Sequence, residues 1–214
     1  MSQRRTQLLD AAVRVIAQDG VRGLRVDKLA AEAGVSTALI YYHFTDRAGI
    51  LQAALEHVNH RAETYTEPVT RAADPRERLT RMLMLELQDT DEVRANSIAW
   101  GELRASAAFN PDLREPLRCT TAAWCTDIAE LVRQAQREGA VAPGTDADLV
   151  GEQLTALVEG LSERWHSGSM AVDRAREVLA GAIDSALPPH RDSAATEGTE
   201  PTSSVATCKR FGSA

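Results

Sequence analysis

The chain has 214 residues, of which 43% are hydrophobic and 26% charged, and it carries a net charge of −7. This length fits one large domain or two small domains packed together, with enough apolar side chains for a real core. No apolar run approaches the roughly 18 residues of a membrane span, and no apolar segment follows Arg4 and Arg5 as in a signal peptide. We therefore expect a cytoplasmic protein with no membrane partner.

The charge is distributed unevenly along the chain. Residues 1–47 carry seven basic and five acidic side chains, whereas the remainder carries 17 basic and 26 acidic ones. Only the first segment has a charge that suits a phosphate backbone. So small an excess also fits an ordinary solvated surface.

The cysteines do not predict a disulfide or a metal site. Cys119 and Cys125 are six residues apart on a predicted helix, which places them about 9 Å apart along its axis. That separation is too long for a disulfide. No cysteines and histidines recur at metal-ligand spacing, so we expect free thiols, no metal and no cofactor.

The first elements in the chain are short helices. Residues 4–19 are predicted to form a helix that Gly20 ends, and residues 25–47 read as a helix, a tight turn and a second helix. Gly34 suits the left-handed end of the first helix of this pair because it has no Cβ, and Ser36 can cap the second. We expect Leu39, Ile40 and Phe44 to be buried, and Thr37, Tyr41, Tyr42 and His43 to lie on the surface.

This pattern is a helix-turn-helix. An αα-hairpin whose tyrosines are half-buried packing residues would give a similar pattern. A connecting helix then runs from Asp46 to about Tyr65. Because it begins directly after the motif, we expect it to be the only element that contacts both halves of the chain.

No strand signal follows, so the sequence predicts an all-α fold. Helix starts are indicated at Asp74-Pro75, at residue 91, at Asn110-Pro111, at Thr145-Asp146 and at residue 171. Residues 188–214 are dominated by Ser, Thr, Pro, Gly and charges, and we expect a disordered tail there.

The run from Ala33 to Phe44, followed by Arg47, closely resembles the DNA-binding domain of the tetracycline-repressor (TetR) family. The likeness extends from Gln7 to Leu55, with the glycine turn, tandem tyrosines and His-Phe pair in register. The family usually has Ser or Thr where this chain has Arg25, which cannot accept a capping bond. We expect either a looser helix start there or a phosphate contact by Arg25.

This resemblance implies a helix-turn-helix DNA-binding domain over residues 1–47 and a ligand-binding and dimerisation domain over residues 48–187. It also implies contacts with double-stranded operator DNA. Thr37 and Ala38 suit base edges, whereas tyrosines, basic residues and helix N-termini suit phosphates. The predicted DNA-binding residues are Arg25, Lys28, Ser36, Thr37, Ala38, Tyr41, Tyr42, His43 and Arg47.

The second half is more weakly similar to the ligand domain of choline/betaine-type repressors, in residues 100–103, 109–113 and 156–161. Only 4% of the chain is aromatic, so Trp100 and Trp124 on adjacent helices favour a cavity, although they suit plain core packing equally well. Glu86, Asn96 and Glu102 could orient a polar or cationic ligand or could simply be solvated. The predicted pocket residues are Tyr65, Met82, Glu86, Asn96, Trp100, Leu103, Phe109, Trp124 and Ile128, joined by Met84 and Glu102.

The last two helices carry more apolar residues than one buried stripe needs, which normally marks an interface. In the family these helices form a two-fold four-helix bundle, so the resemblance implies a homodimer. The alternative is that these residues only close the core of the monomer. The predicted interface residues are Leu154, Leu157, Leu161, Trp165, Val172, Leu179 and Ile183.

These features predict a dimeric, ligand-responsive transcriptional regulator. It would be a repressor that an unknown small-molecule inducer releases from a palindromic operator. The five histidines form no acid–base constellation and no nucleophile elbow is present, so we do not expect an enzyme. The alternative is an all-α enzyme or small-molecule carrier whose helix-turn-helix is only structural.

Overall fold

The computed structural model describes residues 3–66 and 74–188, with side chains for all of these except residues 63–66. Over these residues the chain forms nine α-helices and no strand, which confirms the predicted all-α fold. The helices are α1 (Gln3–Gly23), α2 (Val26–Ala33), α3 (Thr37–His43), α4 (Arg47–Thr66), α5 (Pro75–Leu85), α6 (Asp91–Ala107), α7 (Arg114–Arg137), α8 (Ala147–His166) and α9 (Val172–Ala186). A 3₁₀ turn, Pro111–Leu113, precedes α7. Apart from Pro188, the predicted tail lies outside the described residues.

The helices begin and end where local chemistry directs them. Gly34 ends α2 in the left-handed conformation with φ 64°, and the Ser36 hydroxyl accepts a hydrogen bond from the backbone N–H of Leu39 at 3.4 Å to start α3. Asp74 and Asp146 cap α5 and α8 in the same way. Each cap satisfies a backbone N–H that the first turn of a helix leaves without an intrahelical acceptor.

Two features of the N-terminal helices depart from regular geometry. Gly20 has φ 70° and ψ 173°, so α1 breaks there and one further turn follows. Arg25 precedes α2 and provides no side-chain cap, as expected for a residue without an acceptor. Its guanidinium instead bonds to the carboxylate of Asp27 at 2.9 Å.

The buried side chains form two cores. The first joins α1–α4 with Ala99, Leu103 and Ala107 of α6, and the second joins α5, α7, α8 and α9. The expectation that α4 alone contacts both halves was wrong, because α6 packs along α1 and also contacts α7 and α8. One face of α6 therefore belongs to the core of the helix-turn-helix, and this fact governs how the two halves can influence each other.

Within the part of the chain that the structure describes, no helix is long and apolar enough to cross a bilayer. In the same residues, no three His, Cys, Asp or Glu side chains gather in a way that could hold a metal ion. Cys119 and Cys125 are free thiols.

Candidate functional site

The short helix α3 presents an unusual surface to solvent. Ile40 is buried on its inner side, whereas Tyr41 and Tyr42 are 57% and 81% exposed. Thr37 and Ala38, at the start of the helix, are exposed as well. A large aromatic side chain exposed to this extent on a rigid, capped helix has no packing role in the monomer, so this face of α3 is available to a partner.

The remaining α3 residues have partial structural roles. His43 is half-buried, and its ring meets that of Tyr42 edge to face with centroids 5.1 Å apart. Leu39 is half-buried rather than fully buried. Ser36 is exposed, and its oxygen is used for the cap, which leaves its hydroxyl hydrogen able to donate.

The predicted cations on α2 are paired with nearby carboxylates. Arg25 bonds to Asp27, and Lys28 contacts Asp19 at 2.5 Å. The bond from Arg25, together with a backbone N–H, lowers the pKa of Asp27. Exposed ion pairs of this kind are weak, so a DNA phosphate can displace the carboxylate at little cost.

Arg47 is engaged differently from the sequence-based expectation. Its Nε donates to the carbonyl of Leu24 at 2.9 Å and its Nη2 donates to that of Val21 at 2.5 Å. The guanidinium thereby joins the start of α4 to the turn between α1 and α2. Sequence reasoning missed this role because the residues are more than twenty positions apart and the acceptors are backbone atoms.

A cavity of about 120 Å³ lies between α4, α5, α6, α7 and α8. A single water needs only roughly 10–15 Å³ of such space, so the cavity has room for a small organic molecule. Its wall includes five of the predicted pocket residues, namely Met82, Glu86, Asn96, Trp100 and Trp124.

The other predicted pocket residues do not reach the cavity. Leu103 is fully buried in the first core and Ile128 in the second, and neither lines the cavity, and Met84 packs against the second core. Phe109 follows the end of α6 and is 89% exposed, because the chain has already left the helix. Glu102 faces α1 instead. The side chain of Tyr65 lies outside the described residues.

The cavity wall is acidic. It includes the carboxylates of Glu86, Asp127, Glu159 and Glu163 against the single guanidinium of Arg104. Burial raises the pKa of Glu159, while the charge of Arg104 and a hydrogen bond from Trp100 oppose that rise. Arg104 forms an ion pair with Glu159 and lies over the Trp100 ring, 5.8 Å from its centroid. The wall therefore already holds one cation by an aromatic face and a carboxylate, the two groups that would attract a cationic ligand.

Sequence reasoning missed the contributions of α8 to this wall. Glu159 and Glu163 are four residues apart and therefore share one helix face, a signal that could have been read. The residues predicted on that helix were all interface residues, although residues 156–161 are weakly similar to a ligand domain. Arg104 was missed because its role depends on contact with another helix.

Asn96 and Ser97 add polar groups to the cavity wall. The Asn96 amide donates to the carbonyl of Val58 at 3.1 Å, and its Oδ1 is buried without a hydrogen-bond partner among the described residues. The hydroxyl of Ser97 bonds to Nε2 of His166 at 2.9 Å. Burial and, secondarily, the charge of Arg94 lower the pKa of His166 to about 4, so this ring is neutral near pH 7.

The predicted dimer interface needs correction. Leu154, Leu161, Trp165, Leu179 and Ile183 are buried in the second core of the monomer itself. Only Leu157 and Val172 are half-buried. The stripe of larger apolar residues on each helix closes the monomer, as the alternative interpretation held. These five side chains are therefore not available to a partner.

Comparisons with known proteins agree with this architecture. The family described as "Bacterial regulatory proteins, tetR family" matches residues 8–54, and "BetI-type transcriptional repressor, C-terminal" matches residues 75–188. The HTH-type transcriptional regulator BetI of Burkholderia cenocepacia is 27% identical over 170 residues, covering 78% of this chain and 83% of the relative.

Two solved structures are similar over most of the chain. A TetR-family transcriptional regulator from Rhodococcus sp. is 48% identical with a TM-score of 0.82, and the match covers 87% of this chain and 100% of the other. A transcriptional regulator from Saccharomonospora viridis, solved in complex with choline, is 31% identical with a TM-score of 0.76, and the match covers 85% and 95% of the two chains.

Proposed function

Because the chain belongs to the TetR family of bacterial transcriptional regulators, with a BetI-type C-terminal domain, we propose that it is a repressor released from a two-fold symmetric DNA site by a small cation. Its relatives are transcriptional regulators rather than enzymes, which decides against the enzyme or carrier alternative. The observation that supports DNA binding most directly is the capped α3 with Tyr42 81% exposed.

We propose that α3 lies in the major groove. Thr37 and Ala38, at its exposed N-terminal end, are placed for base edges, and Tyr41 and Tyr42 for phosphate oxygens. Arg25 and Lys28 flank the helix and can exchange their local carboxylates for phosphates. Arg47 acts mainly by fixing the position of α3 and α4 relative to the turn before α2.

We propose that the ligand is a small organic cation. Four carboxylates against one arginine favour positive charge, and Trp100 and Trp124 offer aromatic faces for an ammonium group. The choline complex of the Saccharomonospora viridis regulator, which is 31% identical to this chain, makes choline a reasoned probe. The buried Oδ1 of Asn96 would accept a hydrogen bond from a ligand hydroxyl or N–H.

We propose that the chain dimerises through the outer faces of α8 and α9. Leu149, which is 49% exposed, lies on one face with Gln153, Ala156 and Gly160. On α9, Val178, Gly181 and Ser185 recur with the same spacing. Space is open around Gly160 and Gly181, where an added Cβ would touch nothing within 4 Å. Small residues on both helices would allow a second copy to approach closely. We propose that the two α3 helices of this dimer enter successive major grooves, which are about 34 Å apart.

The experiment that tests this function is selection of DNA from the region upstream of the chain's own gene, followed by footprinting. A protected, two-fold symmetric site with half-sites one helical turn apart would support the proposal. Tyr42→Ala should lose protection while retaining the wild-type unfolding temperature. Protection without sequence preference, unchanged by Tyr42→Ala, would contradict it.

A further inference from the structure

The break in α1 creates a backbone donor that needs an acceptor. Gly20 has left-handed φ, which interrupts the helical geometry directly before Val21, and Val21 is buried. A buried N–H without a partner is destabilising. The partner comes from α6, where Oε2 of Glu102 accepts this bond at 3.0 Å.

The Glu102 carboxylate fits closely over the glycine. A Cβ added at Gly20 would lie 2.7 Å from Oε2 of Glu102 and 3.4 Å from its Cδ. The positive φ favours glycine at position 20, and an added Cβ would also displace the Glu102 carboxylate from this position. The carboxylate of α6 is therefore in direct contact with the main chain of the helix-turn-helix unit.

Arg47 contacts the same segment from the other side. It donates to the carbonyls of Val21 and Leu24, and it is the first residue of α4, four positions after the end of α3. In the segment 20–24, the N–H of Val21 is thus bonded to α6 and the carbonyls of Val21 and Leu24 are bonded to Arg47. Arg47 lies four positions after α3, which we call the recognition helix because it is proposed to enter the major groove. We name the segment 20–24 the hinge turn.

The opposite side of α6 forms the cavity wall. Trp100 and Arg104 line the cavity, and Glu102 is two positions from each. Successive residues of an α-helix are about 100° apart, so Glu102 points about 200° away from both. A ligand that displaces the wall of α6 must displace Glu102 with it, because the helix between them is rigid.

From this geometry we infer that Glu102 is a positioning residue that couples the cavity to the recognition helix, through the hinge turn and Arg47. The inference rests on the proposed ligand-responsive function. Separating Glu102 from the buried Val21 N–H would leave that donor without an acceptor, which is unfavourable. When a bound ligand moves α6, the hinge turn therefore moves with it. Arg47, which is bonded to the hinge turn, transmits this displacement to α3.

A purely structural role for Glu102 predicts different behaviour. A structural clamp would affect stability and leave the coupling between ligand and DNA unchanged. Three variants separate the two roles. Glu102→Ala removes the acceptor, and Glu102→Gln keeps an oxygen for the Val21 N–H. Glu92→Ala removes another α6 carboxylate, which bonds to Arg61 of α4 at 3.0 Å and does not touch the hinge turn.

The first measurement is the affinity for the selected upstream DNA, by fluorescence anisotropy, with and without saturating choline chloride. For the wild type we expect choline to weaken DNA binding by a factor in the allosteric range of roughly 5–150. Glu102→Ala should bind DNA without ligand and lose most of this factor, whereas Glu102→Gln and Glu92→Ala should retain it. A wild-type factor in Glu102→Ala, or an equal loss in Glu92→Ala, would overturn the inference.

The second measurement does not depend on the ligand. The three tryptophans lie on α6, α7 and α8, Trp100 packed against the first core and Trp124 and Trp165 in the second, so their emission reports on these three helices. Addition of DNA should change this emission in wild type and Glu102→Gln, and should leave it unchanged in DNA-bound Glu102→Ala.

These two measurements also distinguish the possible failures. If choline does not bind the wild type, the proposed ligand class is wrong, and the DNA-induced emission change alone decides the role of Glu102. If DNA changes the emission of Glu102→Ala as it does that of the wild type, or changes neither, the inference is overturned whatever the ligand.

Discussion

Arg47 offers the sharpest choice between what the sequence predicts and what the structure shows. The sequence predicts a phosphate contact, so that removing the guanidinium should weaken DNA binding without affecting stability. The structure instead bonds the guanidinium to the carbonyls of Val21 and Leu24. Arg47→Met keeps the aliphatic part of the side chain and removes both bonds.

The loss can be estimated from these contacts. Hydrogen bonds to charged groups contribute roughly 1.5–3 kcal/mol each when buried, but Arg47 is largely exposed. The Val21 carbonyl also keeps its bond from the N–H of Leu24. We therefore expect Arg47→Met to destabilise the fold by about 1–2 kcal/mol. At about 2–4 °C per kcal/mol for a chain of this size, Tm should fall by about 2–8 °C.

The assay combines thermal unfolding with DNA binding at several salt concentrations. Arg22→Met is the matched control, because Arg22 is an exposed arginine of the hinge turn for which no side-chain bond is found among the described residues. We expect Arg47→Met to lower Tm and weaken DNA binding with an unchanged salt dependence, and Arg22→Met to leave Tm unaltered. An unaltered Tm in Arg47→Met, together with a salt slope reduced by about one, would refute the structural role and restore the phosphate contact.

Three further predictions follow from particular contacts. Trp100→Ala should bind DNA with nearly wild-type affinity but lose choline binding measured by calorimetry, and retained choline affinity would show that the indole only fills space. Burial holds the pKa of His166 at about 4, below its ordinary 6.5. The neutral ring therefore stabilises the fold above pH 6.5, and this contribution is lost as pH falls towards 4. The Tm of the wild type should fall more between pH 7 and pH 5 than that of His166→Asn, and equal decreases would contradict the assignment. Gly181→Arg should convert a dimer to a monomer in light scattering at unchanged helicity. Leu179→Ala, in the core, should instead lower the free energy of unfolding by about 2–5 kcal/mol. A dimeric Gly181→Arg variant would exclude the outer face of α9 as the interface.

The features that the sequence predicted well are those fixed by neighbouring residues. Gly34 and Ser36 define the turn and cap of α3 through contacts within four positions, and both are confirmed. The exposed tyrosines follow from the phase of a seven-residue helix whose buried side is set by Ile40. Local chemistry was sufficient for these features.

The errors arose where distant elements decide the outcome. Leu103 and Trp100 are both apolar residues of α6, and only the positions of the neighbouring helices determine that Leu103 is fully buried in the first core, whereas Trp100 packs at the edge of that core and also lines the cavity. Leu154 and Leu179 lie on stripes that a partner could equally have covered, but the other helices of the monomer cover them. Glu102 was assigned to the cavity because its acceptor role depends on a backbone N–H 81 positions away.

The central claim is that cavity and DNA-binding surface are linked, and reciprocity gives its most direct test. Calorimetry of choline chloride binding would be carried out on the free protein and on the protein saturated with its selected DNA. Linkage requires the DNA-bound form to bind choline more weakly, by the same factor by which choline weakens DNA binding. Equal choline affinities for the free and DNA-bound protein would contradict the account, because a ligand that binds both states equally cannot shift the equilibrium between them.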